Sequence, residues 1–163
     1  MNSEETFKKG VEYREAGNEA FKKGDYPAAL SNYYHALLHL RTVGGLQPAN
    51  DLKERSNEQL VKIYNNQCAV LAKQEKWPRV LDTATKAREI DAENLKSKFR
   101  QGQAYARMGD VDKAKEVLNE VLQKDPKDAA VKQELALIKQ QDKKGQEQVK
   151  KAYWGMFDQQ KKA

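Results

Sequence analysis

The sequence predicts an all-α protein, a short right-handed solenoid of three helix pairs closed by a long C-terminal helix. Three observations carry that expectation. A helix–turn–helix segment recurs along the chain, the last two copies start 34 residues apart, and apolar residues within the copies follow the three-four rhythm of one helical face.

The repeat is clearest when GNEAFKKGDYPAALSNYYHAL (17–37) is laid over GQAYARMGDVDKAKEVLNEVL (102–122). Gly17 aligns with Gly102, Gly24-Asp25 with Gly109-Asp110, and Ala29 with Ala114. A degenerate middle copy, CAVLAKQEKWPRVLDTATKA (68–87), puts Trp77 where Tyr26 and Val111 stand and Ala87 where Ala36 stands. Pro126, in KDPKDA, closes the third copy.

Each element has a local cause. Tyr26, Ala29, Leu30, Tyr33, Leu37 and Leu40 share one helical face, as do Val111, Ala114, Val117, Leu118, Val121 and Leu122. Asp25 and Asp110 stand where an N-cap accepts the next helix's free amides. Small residues at Gly17, Ala29, Ala36, Gly102 and Ala114 let helices approach closely. Val131, Leu135 and Ile138 form a stripe able to cover the third pair, as stacked repeats require. KQQDKKGQEQ (139–148) has no apolar face and projects into solvent. Val149, Ala152, Tyr153, Trp154, Met156 and Phe157 follow it, expected to pack back as the end of the cap. The competing reading is an amphipathic patch with Lys150, Lys151, Lys161 and Lys162, open to a partner protein or a calmodulin-like reader.

The unit resembles the tetratricopeptide repeat, a 34-residue helix–turn–helix. On that resemblance the chain is one domain, 1–163, with repeats at about 10–43, 61–94 and 95–128 and a capping helix at about 128–157. The first two repeats start 51 residues apart, so an insertion of roughly half a repeat falls at about 42–60. Gly44-Gly45 and Pro48 break the first pair there, and DLKERSNEQLVKIYNN continues as a lengthened first helix of the second pair.

Composition narrows the function. The chain has 163 residues, 33% of them charged, with a formal charge of +6 from interspersed acids and bases. That is a salt-laced helical surface rather than a nucleic-acid patch, so no nucleic-acid partner is expected. No stretch reaches the roughly 18 apolar residues of a membrane span. The polar N-terminus is no secretory signal. One cysteine, Cys68, excludes an internal disulfide and points to a reducing, cytoplasmic or also nuclear, setting. Cys68 occupies the small-residue position of its repeat and reads as an inert packed thiol.

Nothing in the sequence reads as an enzyme. His35 and His39 are spaced i,i+4, as helical metal ligands can be, but no HExxH pattern or cysteine or carboxylate cluster accompanies them. No glycine loop cradles phosphate. Neither metal nor cofactor is expected.

Binding is the remaining default, through the concave face lined by the first helix of each pair. Its inward polar positions are Arg14 and Asn18 in the first pair, Asn66 in the second, and Lys96 and Arg100 in the third. Three cations and two amides, with scarcely any carboxylate, suit an anion with two carboxylate groups close together. This pattern resembles the carboxylate clamp of chaperone-binding tetratricopeptide domains, whose Lys, Asn, Asn, Lys, Arg set falls on Arg14, Asn18, Asn66, Lys96 and Arg100. Arg14 replaces the family's Lys, a planar fork for a compact ammonium. The resemblance implies a non-enzymatic co-chaperone adaptor that binds the C-terminal Glu-Glu-Val-Asp tail of ninety- or seventy-kilodalton heat-shock chaperones. A scaffold for a non-chaperone partner, through the groove or the tail, is the alternative, and RNA or an anionic membrane at the basic tail a third.

Two branches fit the remainder. KKAYWGMF (150–157) resembles the tail ending the repeat domains of FK-binding immunophilins. ALLHLR (36–41), the insertion and YNN (64–66) resemble the small stand-alone tetratricopeptide repeat protein nine family. Immunophilins carry an isomerase domain ahead of such repeats, so Met1 suggests either a stand-alone protein or an excised fragment.

Overall fold

Seven helices follow one another in the computed structural model, which describes residues 2–43 and 51–162. They are α1 (Ser3–Lys22), α2 (Tyr26–Thr42), α3 (Leu52–Lys73), α4 (Trp77–Ile90), α5 (Leu95–Arg107), α6 (Val111–Lys124) and α7 (Ala129–Lys162). The pairs α1/α2, α3/α4 and α5/α6 pack most extensively, and each pair then packs on the next through α2/α3 and α4/α5. The first helices also touch in series, α1 on α3 and α3 on α5, and so form one continuous face. This is the predicted solenoid of three helix pairs, with α7 resting on α5 and α6.

Local chemistry sets the helix ends. Asn2 and Glu5 form a capping box, the Glu5 amide donating to Asn2 Oδ1 over 2.8 Å. Asp25 accepts from the Ala28 amide at 3.2 Å, and Pro27 sits in the first turn of α2. Asp110 holds the matching position before α6, yet its side chain makes no capping bond and lies 3.7 Å from Lys113 instead. The expectation of a side-chain cap there is corrected: the carboxylate faces Lys113 rather than the α6 amides. Each pair turns through one residue of positive φ: Gly24 at 76°, Gly109 at 87° and, in the degenerate middle copy, Glu75 at 58°. A side chain in the left-handed region costs roughly 1–2 kcal/mol, so the missing glycine explains why the middle copy is hard to see.

Three apolar clusters stack along the solenoid. Ala29, Tyr33, Leu37 and Leu40 of α2 meet Leu60, Val61, Ile63 and Tyr64 of α3. Cys68, Leu71, Val80, Ala84 and Ala104 join the middle pair to α5, and Ala114, Leu118, Val121, Val131 and Ile138 seal the third pair under α7. Gly17 faces the Tyr33 ring, where a Cβ would lie 2.6 Å from two ring carbons.

The middle pair begins with a lengthened helix, since α3 runs 22 residues from Leu52. Gly44, Gly45 and Pro48, expected to break the first pair, lie outside the described residues. The tail departs from expectation. Tyr153, Trp154 and Met156 are 65%, 56% and 64% exposed and do not pack back on the solenoid. Helix α7 runs on through 139–148 without a break, and that polar stretch offers no apolar face to turn the chain inward. The aromatic side chains stack on each other instead, Trp154 edge-on to Tyr153 and Phe157 with ring centroids 6.0 Å apart. None of the described helices is long and apolar enough to cross a membrane.

Candidate functional site

A groove of about 680 Å³ opens on the face shared by α1, α3 and α5. Arg14 and Asn18 reach it from α1, Asn66 from α3 and Lys96 from the first turn of α5, so the solenoid brings four of the five expected residues together. Arg100, one turn beyond Lys96, lines an adjoining compartment of about 590 Å³ that shares Phe21 and Ala69 with the first. The five residues therefore follow one channel rather than ringing one point.

Two amides are wired to each other. Asn66 Nδ2 donates to Asn18 Oδ1 at 2.9 Å, and the Tyr33 hydroxyl donates to the same oxygen at 2.6 Å. With its carbonyl engaged twice, groove-lining Asn18 has its NH₂ left to offer, a pure donor. Asn66 keeps its second N–H. Asn65 is spent elsewhere: its Nδ2 donates to Asn94 Oδ1 at 3.0 Å, and Ser97 Oγ donates to its oxygen at 2.9 Å. One of the two adjacent asparagines thus ties α3 to the start of α5 while the other ties α3 to α1.

The electrostatics favour an anion. No aspartate or glutamate lines the 680 Å³ groove, whereas Arg14, Lys22, Lys62 and Lys96 do. Arg14 Nε is buried and finds no acceptor among the described residues. Arg100 is half-buried, and burial pulls its guanidinium pKa down against the opposing pull of Cys68 and Glu134. Its Nη1 donates to Gln103 Oε1 at 3.0 Å, Gln103 Nε2 donates to Glu134 Oε1 at 3.0 Å, and Arg107 grips both Glu134 oxygens at 2.6 and 3.1 Å. The capping helix thereby fixes the side chains at one end of the channel. Lys98, two residues after Lys96, points away from the groove and is buried between Glu93 at 2.7 Å and Glu120 at 3.3 Å.

Lys22, Lys62 and Tyr33 were not among the expected site residues. Lys22 is four residues past Asn18 and Lys62 four before Asn66, so the rule that pairs Arg14 with Asn18 would have found both. Tyr33 gave no signal beyond its place on the apolar face of α2. Three other residues weighed for chemistry, Cys68, His35 and His39, do not line the groove. Cys68 is fully buried, and burial pushes its thiol up to about 12. His35 and His39 flank Tyr13 with ring centroids 5.3 and 5.2 Å away, and no group of three or more potential ligands that could hold a metal occurs among the described residues.

Comparison with known proteins agrees with the fold. Residues 71–138 match the family model for the tetratricopeptide repeat. Human peptidyl-prolyl cis-trans isomerase FKBP4 is 28% identical over 158 residues, covering 97% of this chain and 34% of its own. The chain thus spans about a third of the length of the curated relatives it matches. The C-terminal TPR-containing domain of a Plasmodium falciparum FK506-binding protein superposes with a TM-score of 0.81 at 23% identity, over 90% of this chain and 97% of that one. Two RPAP3 domains, the first bound to an HSP90 peptide, SRMEEVD, and the second, from human, in complex with an HSP70 peptide, SGPTIEEVD, each give 0.65 over 82% of this chain. They are 21% and 22% identical to it and are covered over 92% and 98% of their own length. The fold is that of a tetratricopeptide-repeat solenoid, and residues 71–138 carry the family's repeat.

Proposed function

We propose that the channel is a carboxylate clamp for the C-terminal Glu-Glu-Val-Asp tail of ninety- or seventy-kilodalton heat-shock chaperones, which makes the protein a non-enzymatic co-chaperone adaptor. The observation that carries this reading is the Asn66–Asn18–Tyr33 chain, which presents amide donors between four cations in a groove with no carboxylate of its own. A terminal carboxylate needs such directional donors, and a second carboxylate nearby needs Lys96 and Arg100. The RPAP3 domains, solved with peptides ending in EEVD, share the fold and support this reading.

Charge-assisted hydrogen bonds of roughly 1.5–3 kcal/mol each, offset by ordering of the peptide, give an expected affinity near micromolar, about −8 kcal/mol. Titration of a free-acid pentapeptide against its C-terminally amidated twin tests the proposal. The free acid should bind at least tenfold tighter, and Lys96→Ala or Arg100→Ala should erase most of the difference. Equal affinities, or indifference to both variants, would refute it.

A second reading, a scaffold for a non-chaperone partner, is favoured by one observation: the exposed Tyr153–Trp154–Phe157 cluster beside Lys150 and Lys151. Partners retained by clamp variants but lost with Trp154→Ala would identify it.

A further inference from the structure

The channel does not end at the clamp. From Asn66 along α3, Lys73 lies two turns on, and Arg107 lies two turns past Arg100 along α5. At 1.5 Å per residue both are about 10 Å farther along their helices. They line the 590 Å³ compartment together with Arg100, against Glu75 as its one lining carboxylate. Arg107 is already held by Glu134 and lies over the Trp77 ring at 5.2 Å. Lys73 is exposed and makes no ion pair among the described residues.

The opposite end has the other sign. Past Val61, Lys62 and Asn94 the groove continues into about 330 Å³ carrying Glu58 and Asp91. One channel thus has a basic mouth and an acidic mouth. An extended chain advances about 3.3 Å per residue, so Lys73 stands about three residues from a terminal carboxylate held at Asn66, level with the start of the four-residue tail, and its flexible four-carbon stem reaches the positions just upstream.

We propose that the basic mouth is a specificity subsite for an acidic side chain in the positions just before the four-residue tail, and that Lys73 is its selecting cation. The inference rests on the carboxylate-clamp reading and adds a preference to it: an acidic run that continues upstream leaves the groove over Lys73, while a basic one is disfavoured.

The test uses three free-acid peptides with Glu, Gln or Lys in the two positions preceding Glu-Glu-Val-Asp, each with an amidated twin, at low salt. The intact chain should bind the Glu peptide about fivefold tighter than the Lys peptide, the Gln peptide falling between. Lys73→Gln should flatten that ratio and Lys73→Glu invert it. Because the ratio is taken within each variant, general losses of affinity cancel. A ratio near one in the unmodified chain, with amidation still abolishing binding, overturns this subsite alone. A ratio unchanged by Lys73→Glu does the same. Equal binding of free acids and amides, or no binding of any peptide, overturns the clamp and the subsite together.

Discussion

Asn66 donates to Asn18 across 2.9 Å, joining two side chains 48 residues apart in the sequence, and Tyr33 donates to the same oxygen from below. The three side chains act as one device, since each fixes the amide that the ligand would meet. Asn18→Ala and Asn66→Ala should therefore be non-additive, the double variant losing little more peptide affinity than either single one. Tyr33→Phe keeps the packing but removes one hold on Asn18. We expect about 1 kcal/mol less stability in urea unfolding and a several-fold weaker peptide. Full additivity in the cycle would show that the two amides work separately.

Close packing behind that device should be just as sensitive. A Cβ on Gly17 would meet the Tyr33 ring at 2.6 Å, and one on Gly102 would meet the Leu118 side chain at 2.6 Å. Both side chains are buried, Leu118 at 0% and Tyr33 at 1% exposure, but Leu118 has alternative rotamers while the rigid Tyr33 ring is also tied to Asn18. Gly17→Ala should accordingly cost more than Gly102→Ala, within about 1–3 kcal/mol of overpacking, and should also weaken peptide binding by tilting Tyr33. Thermal unfolding of the two variants, with titration alongside, checks the order.

Much of this was legible in the sequence because repeats repeat their constraints. Gly17 and Gly102, Gly24 and Gly109, and the apolar stripes of α2 and α6 announce the pairs. Arg14 with Asn18 and Lys96 with Arg100 announce a shared face through four-residue spacing. What spacing cannot convey is which polar residue is already spent. Asn65 and Asn66 look alike, but one is consumed by Asn94 and Ser97 while the other reaches Asn18. Lys96 and Lys98 look alike, but Lys98 is buried between two glutamates. The aromatic tail was misjudged because composition says that Tyr153 and Trp154 want cover, not whether the chain can turn back to provide it.

Glu134 shows the same limit, because its partners come from another pair. It is 5% exposed on α7 and receives Arg107 and Gln103, with Gln103 in turn holding Arg100. Glu134→Gln keeps an acceptor for Gln103 but loses the charge facing Arg107, whose side chain is 32% exposed. Solvent screening of that guanidinium limits the expected loss to about 1 kcal/mol. Glu134→Ala frees both partners and should cost about 2 kcal/mol. It should also weaken peptide binding through Arg100, so the effect on binding should vanish in an Arg100→Ala background. An undiminished effect there would mean that Glu134 acts on the groove by another route.

Cys68 offers a readout of opening that needs no added label. Its side chain is fully buried, its thiol lies 3.6 Å from the Val80 carbonyl oxygen, and burial pushes it up to about 12 despite the nearby Arg100. An unfolded thiol ionises near 8.5, so folding favours the protonated form. That contribution to stability is fully present below about pH 8.5 and is lost as pH rises toward 12. In the native protein at pH 8, alkylation should be slow and limited by opening of the middle pair, whereas in denaturant it should finish within the mixing time of a manual assay. A saturating free-acid peptide should slow native alkylation in proportion to its occupancy, and the amidated twin should not. Rapid native labelling that ignores both peptides would contradict the burial of Cys68 and the link between groove and core.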